Sequence, residues 1–318
     1  MAHQKTHLPL VGRSKNATRF SGGGRCSRYR AAPHPDRFAL RPPHKGEVSI
    51  TAPRIFDRKA YAHRRARASE SFLALDAAQG LAERIGAINR RFVRALNLNA
   101  RPDTRTVFAP LADNWIEAAP GSVDEETLPF APESFDLVVS VLSLHAVNDL
   151  PGALVQIRRA LKPDGLFMAA LFGGETLHEL REAFASGESE TVGGASPHVA
   201  PFADVRDLGG LLQRAGFALP VADVERTTVR YRSFDNLVTD LRALGETNAL
   251  AERNRKILRK DTLAAAIAHY KTHHADAEGR IGATFDVIYL SGWSPHESQQ
   301  KPLPPGSAKM RMADALKT

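Results

Sequence analysis

The stretch Phe135-Asp136-Leu137-Val138-Val139-Ser140-Val141 decides the fold. It is a nearly continuous apolar run rich in β-branched residues, which is typical of a strand buried on both faces of a parallel sheet. A helix is predicted next, over 149–161, with Pro151 in its first turn, where a missing N–H costs nothing. Lys162-Pro163-Asp164-Gly165 ends this helix, and Leu166–Phe172 is a second apolar strand. Strand, helix and strand in a unit of about 30 residues predict a right-handed crossover between parallel strands.

The rest of the chain continues this alternation of helices and strands. Further helices are predicted within 55–88, near 105–112, and over 175–185, 204–215 and 233–278, and further strands over 94–98, 115–116, 221–231 and 284–291. The predicted fold class is α/β. It is a Rossmann-like, doubly wound, mostly parallel sheet with an N-terminal helical segment and a helical insertion before the last strand. In such a sheet, ligands bind beyond the carboxyl ends of the strands.

Composition excludes several classes of protein. The 318 residues are 43% hydrophobic and 25% charged, which is ordinary for a globular chain and unlike a disordered or fibrous one. No apolar run approaches the roughly 18 residues that a transmembrane helix needs, so no transmembrane segment is predicted. The single cysteine, Cys26, excludes an intrachain disulfide and a multi-cysteine zinc site.

The positive charge of the chain is concentrated in its first residues. Residues 1–54 hold 11 Lys and Arg against 2 Asp and Glu, whereas the remainder holds 32 against 33, so the body is neutral. No nucleic-acid partner is therefore predicted. Residues 1–53 are rich in glycine, proline and arginine without periodicity, and we expect a disordered basic tail there. A transit peptide, a nucleic-acid-binding arm and an over-extended start site remain open for it, the last being preferred. The domain proper is predicted over 54–318.

Three stretches in the middle of the chain resemble a known superfamily. Asp124–Phe130, Ser134–Ser140 and Leu161–Gly165 are similar to the later motifs of class I S-adenosylmethionine-dependent methyltransferases. Further stretches resemble the branch that contains the mitochondrial complex I assembly factor 5 and the malonyl-ACP O-methyltransferase of biotin synthesis. They are Ser143–Pro151, Gly173–Leu177, Ser196–Phe202 and Gly292–Gln299. The resemblance extends from Ile55 to about Leu316.

This resemblance implies S-adenosyl-L-methionine as cofactor and methyl transfer as activity. It also implies a protein partner, either a complex I subunit or an acyl carrier protein. The mitochondrial member is associated with hydroxylation of an arginine in a complex I subunit, yet no iron site is evident in this sequence. The residues implied to contact the cofactor are Asn97, Asn99, Glu117, Asp124, Glu125 and Ser140.

The cofactor loop departs from the superfamily pattern. Class I methyltransferases carry a glycine-rich turn after the first strand, where the missing side chains let the backbone approach the cofactor. Here the corresponding stretch, Asn97–Asp103, has no glycine. We expect Asn99 to take a left-handed conformation and the side chains of Ala100 and Arg101 to occupy cofactor space. The acidic residue expected at Ala119 is also absent, since Glu117 lies two positions earlier.

Histidines and neighbouring residues supply the other site predictions. By resemblance, His145 is the catalytic candidate, a base suited to neutral pH, with a packed core residue as the alternative. The predicted substrate-binding residues are Glu175, His198, Trp293 and His296, although Trp293 also fits a core anchor. No metal site is predicted, because the adjacent His273 and His274 would point about 100° apart on a helix.

Two classes of function therefore stay open. One is a methyltransferase, acting in complex I assembly or on malonyl-ACP. The other is a non-catalytic assembly chaperone that keeps the fold after losing the glycine loop. A cytoplasmic location in a bacterium is expected, with the mitochondrial matrix as the alternative.

Overall fold

One mixed sheet forms the centre of the computed structural model, which describes residues 54–300. Its six strands are β1 (Phe92–Leu98), β2 (Ala112–Ala118), β3 (Phe135–Val141), β4 (Leu161–Phe172), β5 (Ala218–Tyr231) and β6 (Ile281–Trp293). They lie in the order β2-β1-β3-β4-β6-β5. Strands β1 to β4 are parallel, and β6 runs antiparallel to both of its neighbours. The tail predicted over 1–53 lies outside the described residues.

Helices cover both faces of the sheet. They are α1 (Arg58–Ala66), α2 (Phe72–Gly86), α3 (Arg105–Phe108), α4 (Leu150–Ala160), α5 (His178–Val192), α6 (Val205–Arg214), α7 (Phe234–Leu244) and α8 (Lys260–His274). Leu81 of α2 and Leu180 of α5 pack with Val139 of β3 in one apolar cluster. Leu154 of α4 packs in a second cluster with Val138, the next residue along β3. Because neighbouring strand residues point to opposite faces, β3 is buried on both sides, and the predicted doubly wound α/β fold is confirmed.

The helical insertion before the last strand is not one continuous helix. Helix α7 ends at Leu244 and α8 extends from Lys260 to His274, so the prediction of helix throughout 233–278 is wrong for 245–259 and for 275–278. Gly245 ends α7 in the left-handed region, with φ of +82°. The chain then pairs with the residues before α1, where the Asp57 N–H donates to the Ala249 carbonyl and the Ala251 N–H donates to the Ile55 carbonyl.

Helix α1 lies across the carboxyl ends of the parallel strands. The Arg65 guanidinium donates to the Val141 carbonyl at the end of β3, and the Tyr61 hydroxyl oxygen lies 3.2 Å from the next carbonyl, that of Leu142. The turns after β1 and β3 reach the same edge, with Asn99 and His145 in them. This edge is where the fold predicts a ligand site. Among residues 54–300, no helix combines the length and apolarity needed to cross a membrane.

Candidate functional site

His145 and Glu246 form a buried pair at the carboxyl edge of the sheet. Nε2 of His145 lies 3.1 Å from Oε2 of Glu246, and both side chains are almost fully buried. Nδ1 of His145 faces the Phe172 N–H at 3.5 Å. This contact assigns the hydrogen of a neutral ring to Nε2, which then donates to the carboxylate. The candidate catalytic histidine is therefore held by a carboxylate that comes from the loop after α7.

Two further side chains from α1 fix the Glu246 carboxylate. The Tyr61 hydroxyl donates to Oε1 at 2.8 Å, and the Arg65 guanidinium lies 3.5 Å from the same oxygen. Burial alone would raise the pKa of Glu246, but His145, Arg65 and Tyr61 together hold that pKa below its ordinary value. Burial and the Glu246 charge raise the pKa of Tyr61 well above its ordinary value. Glu246 is therefore ionised and Tyr61 protonated at neutral pH.

The end of α7 aims Glu246 at this position. Gly245 takes the left-handed conformation, and the Glu246 N–H then donates to the Leu241 carbonyl. A Cβ atom on Gly245 would lie 3.2 Å from Cα of Arg65. Glycine thus permits both the turn and the close approach of α1.

A mainly apolar cavity of about 210 Å³ opens beside the pair. Its lining is dominated by aromatic and aliphatic side chains, including Phe56, Tyr61, Phe172, Phe184, Val199, Phe202, Leu241 and Phe285, with His145, His198 and Glu246 among the polar groups. The His145 ring meets Phe172 and Phe202 at centroid distances of 5.1 and 5.4 Å. The cavity therefore combines aromatic walls with one ionised carboxylate.

A second His–Glu pair stands at another part of the cavity wall. Nε2 of His198 lies 2.9 Å from Oε1 of Glu188, and the His198 ring stacks on Phe184 at 4.0 Å. Burial would raise the pKa of Glu188, but His198 and Ser196 hold it below its ordinary value. Beyond His198 lies a groove of about 520 Å³ whose cationic lining residues are Arg64, Arg253, Arg255 and Lys256.

Side chains fill the loop after β1 where the cofactor was expected. Asn99 takes the predicted left-handed conformation, with φ of +58°. Ala100 and Arg101 are buried. The Arg101 guanidinium donates to the Leu244 and Ser69 carbonyls and to both carboxylate oxygens of Asp103. Arg101 is thus fixed as a structural cation that joins three parts of the chain.

The Arg58 side chain of α1 contacts Asp124 and Glu125 in the loop after β2. Its guanidinium forms an ion pair with the buried Glu125, and Asn99 Nδ2 donates to the same carboxylate at 2.7 Å. Asp124, half-exposed, accepts a longer bond of 3.3 Å from Arg58. Burial lowers the pKa of Arg58, but Glu125 and Asp124 raise it overall. Asp124 and Glu125, two of the three acidic residues that were predicted to hold the cofactor, are therefore paired with Arg58.

Ion-paired side chains of this chain narrow the space beside Asn99. The space left beside Arg58, Asn99, Asp124 and Glu125 is about 170 Å³, and its other lining residues are Lys59, Tyr61, Ala62, Gly121 and Val123. Nδ2 of Asn97 and Oδ1 of Asn99 are buried without a hydrogen-bond partner among the described residues. These two amide atoms, one donor and one acceptor, are available to a water molecule or to a ligand.

Two other predicted cofactor residues also have partners within the chain. The Ser140 hydroxyl lies 2.9 Å from that of Ser143, and both are buried. Glu117 pairs with Asn97 in the register of β1 and β2, and its carboxylate lies 3.6 Å from Nε of Arg105. It lines an open cleft of about 500 Å³ that also contains Arg101 and Ala119.

Only one of the four predicted substrate-binding residues lies at the cavity. His198 lines it, whereas Glu175 is exposed in the turn after β4. Trp293 and His296 lie at the opposite edge of the sheet, so they do not share a site with His145. The reason is the direction of β6: Trp293 pairs with Leu166 at the start of β4, while Val287 pairs with Phe172 at its end.

Tyr61, Arg65 and Glu246 are site residues that the sequence did not indicate. Tyr61 and Arg65 lie in a helix predicted only as an N-terminal segment, and Glu246 lies in a stretch predicted as continuous helix. Gly245 is the one sequence feature that could have indicated the break before Glu246, because a glycine within a helical pattern indicates a C-terminal cap.

Comparisons with known proteins agree with this fold. Residues 75–169 match a family described as a methyltransferase domain. The human protein "Arginine-hydroxylase NDUFAF5, mitochondrial" is 38% identical over 296 residues, which cover 85% of this chain and 86% of that protein. The chain belongs to the NDUFAF5 family. The resemblance read from the sequence motifs is thereby confirmed.

Other relatives match over a smaller share of their length. The zebrafish (Danio rerio) NDUFAF5 is 46% identical over 194 residues, 61% of this chain and 60% of that protein. The malonyl-[acyl-carrier protein] O-methyltransferase of Gallionella capsiferriformans is 37% identical over 55% of this chain and 58% of that protein. Among solved structures, the YcgJ protein from Bacillus subtilis covers 69% of this chain and 98% of its own, with 16% identity and a TM-score of 0.48.

Proposed function

We propose that this chain is a non-catalytic assembly factor of the NDUFAF5 type whose aromatic cavity receives an arginine side chain of a partner protein. The observation that carries this function is the ionised Glu246 in a cavity walled by aromatic rings. A guanidinium group stacks on aromatic faces and pairs with carboxylates, and both kinds of group are present. The partner that the family resemblance implies is a subunit of respiratory complex I.

The contacts of Glu246 leave room for one more cation. A carboxylate offers about four acceptor positions. The bonds from Tyr61 and His145 use one position on each oxygen, and Arg65 lies at the longer distance of 3.5 Å. A guanidinium in the cavity that Glu246 lines together with Phe172 and Phe202 would meet the remaining positions.

The name of the relatives supports the choice of arginine. The human relative that matches over 85% of this chain is named an arginine hydroxylase. Only recognition of the arginine side chain is proposed for this chain. The methyl-transfer alternative is disfavoured by the arginines that fill the cofactor edge.

Binding of short peptides to the full chain tests this function. The probe is a peptide with a central arginine, compared by titration calorimetry with the same peptide carrying citrulline or lysine. We expect citrulline to weaken binding about tenfold or more, because a bond to a charged group contributes about 1.5–3 kcal/mol. Glu246→Gln should abolish the preference for arginine. Glu188→Gln is the matched control, since Glu188 is also paired with a histidine but does not line the cavity.

Three outcomes would contradict the function. They are equal affinity for the arginine and citrulline peptides, an unchanged preference in Glu246→Gln, and an equal loss in Glu188→Gln. Thermal unfolding of each variant shows whether the fold is intact, so that loss of binding is separated from loss of structure.

A second candidate is supported by the cationic groove. The groove shares His198, Thr247 and Asn248 with the cavity, and Arg255 and Lys256 are exposed in it. An apolar cavity beside a cationic groove suits an acyl chain that is attached to a phosphorylated carrier. Relatives named malonyl-[acyl-carrier protein] O-methyltransferase act on a substrate of this kind. Stronger binding of acyl carrier protein than of the arginine peptide, lost in Arg255→Glu with Lys256→Glu, would favour this candidate.

The compartment follows from the same relatives as a proposal. One of the similar proteins comes from a bacterium, and another, from human, is named as mitochondrial. We infer a cytoplasmic location in a bacterium, with the mitochondrial matrix as the alternative. Fractionation of cells that express the full chain distinguishes the two.

A further inference from the structure

Four histidines gather on the outer side of helices α5 and α8. They are His178 of α5 and His269, His273 and His274 of α8. The His178 and His274 rings lie 6.2 Å apart, and those of His269 and His274 lie 6.4 Å apart. Glu182 stands among them, with Oε2 at 3.1 Å from Nε2 of His274. This cluster has no part in the cavity.

The packing of α5 against α8 creates the cluster. A Cβ on Gly187 would lie only 2.7 Å from the Ala266 backbone nitrogen, so the two helices are in close contact there. The hydroxyls of Thr191 and Thr262 meet at 2.7 Å, one turn away. The helices are therefore antiparallel, because moving back along α5 to Glu182 corresponds to moving forward along α8 to His269 and His274.

We propose that Glu182, His269 and His274 bind a divalent transition-metal ion of the zinc class, which links α5 to α8. One ligand atom from each of these residues lies within 4.8 Å of the other two. Donor atoms around a tetrahedral zinc ion stand about 3.3 Å apart, since each bond is about 2.0–2.1 Å. The Glu182–His274 contact already has this spacing, and only His269 has to move closer.

The ligand chemistry selects the class of ion. Imidazole nitrogens suit zinc, copper, nickel and iron, whereas calcium and magnesium require oxygen ligands. Two imidazoles and one carboxylate make a three-ligand set that leaves a fourth position for water. Nε2 of His274 is buried and has no hydrogen-bond partner of acceptable geometry among the described residues. This nitrogen is therefore available to bind a metal ion.

The proposed ligand pair is not the adjacent pair that the sequence analysis rejected. His273 and His274 are neighbours and diverge on the helix, whereas His269 and His274 converge with a residue from another helix. The ion would join the helix whose Leu180 and Phe184 line the cavity to the helix before β6. A metal link at this place therefore stabilises one wall of the cavity.

Metal titration of the tag-free full chain tests this site. The probes are ZnCl2, with MgCl2 as the hard-cation control, followed by calorimetry and thermal unfolding. We expect saturable binding of one zinc ion at this site and a rise in melting temperature with zinc but not with magnesium. Cobalt(II) should give the visible absorption of a tetrahedral site.

Variants of the three ligands locate the ion. Glu182→Gln, His269→Ala and His274→Ala should each weaken zinc binding by at least about tenfold, since loss of even a group that only hydrogen-bonds a metal ligand costs about this much. His273→Ala is the control and should retain the affinity, and the remaining histidines are the same in every variant. No zinc-dependent stabilisation, equal affinity in all variants, or loss in His273→Ala alone would overturn the proposal. The melting temperatures without metal show that each variant folds.

Discussion

The Tyr61 hydroxyl donates a 2.8 Å hydrogen bond to Oε1 of Glu246, joining α1 to the loop after α7 across 185 residues of sequence. The Tyr61 side chain is buried, and the acceptor is an ionised carboxylate whose side chain is 12% exposed. Bonds to a charged group are roughly twice as strong as those between neutral groups. This contact therefore links the helix that covers the strand ends to the residue on which the proposed function depends.

Removal of the Tyr61 hydroxyl should destabilise the fold. Tyr61→Phe leaves a buried carboxylate with one donor fewer, so we expect a loss of about 1.5–3 kcal/mol in the free energy of unfolding. Tyr270→Phe is the control, because the Tyr270 hydroxyl donates to the neutral Gly282 carbonyl at 2.7 Å. Its loss should be smaller, about 0.5–1.5 kcal/mol. Urea denaturation at pH 7 measures both, and a larger loss in Tyr270→Phe would contradict the assignment.

The charge of Glu246 should appear in the pH dependence of stability. Its pKa in the folded state is lowered below the value of about 4.3 expected in the unfolded chain. The unfolded state therefore binds more protons, and the stability that Glu246 contributes is present above that value and lost as the pH falls through the folded-state pKa. Glu246→Gln should lower stability by about 3–5 kcal/mol at pH 7, because it leaves Arg65 and His145 without their buried partner.

Denaturation of wild type and Glu246→Gln between pH 7 and pH 3.5 measures this effect. The difference between the two proteins should shrink as the pH falls below about 4.5. The control is Glu252→Gln, an exposed position, which should stay within about 0.5 kcal/mol of wild type at pH 7. A difference that is constant across the whole pH range would show that Glu246 is not ionised in the folded state.

Local sequence patterns predicted the sheet far better than the site. The run at 135–141 is apolar on both faces, so its place at the centre of the sheet follows from composition alone. The direction of β6 does not follow from composition, and for this reason Trp293 was grouped with His145 although the two lie at opposite edges. Glu246 was missed because its role depends on contacts with α1, which no sequence period encodes.

The cofactor edge shows what a motif can and cannot predict. The missing glycines after β1 indicated correctly that side chains fill this region, and Asn99 is left-handed as expected. The partners of those side chains could not be derived, since Arg101 contacts Ser69 and Leu244 from distant parts of the chain. Motif spacing predicts which backbone positions meet a ligand, but only the packed structure shows which side chains replace it.

S-adenosylmethionine should not stabilise this protein. A ligand present at 100 times its dissociation constant stabilises the folded state by about 2.7 kcal/mol. Because Arg58 and Arg101 are held in the cofactor space by buried partners, we expect no shift in melting temperature at millimolar concentrations of the cofactor. Thermal unfolding with and without the cofactor measures the shift, and a sample that contains only the counter-ion of the cofactor salt is the control. A saturable rise would restore methyl transfer as the activity.

Gly245 should tolerate alanine less well than another glycine of the same conformation. Gly193 and Gly245 end helices α5 and α7 with φ of +77° and +82°, so alanine at either position pays a left-handed cost of about 1–2 kcal/mol. A Cβ at Gly193 meets nothing within 4 Å, whereas a Cβ at Gly245 lies 3.2 Å from both Cα and Cδ of the buried Arg65.

Gly245→Ala should therefore lose more stability than Gly193→Ala, and it should also weaken binding of the arginine peptide. The reason is that the contact with Arg65 has to be relieved by moving α1 or the end of α7, and either movement displaces the Glu246 carboxylate from Tyr61 and His145. Urea denaturation gives the first comparison, and calorimetry with the peptide gives the second. Equal losses of stability in the two variants would mean that α1 can withdraw from α7 without cost, and unchanged peptide binding in Gly245→Ala would mean that the position of Glu246 does not depend on this turn.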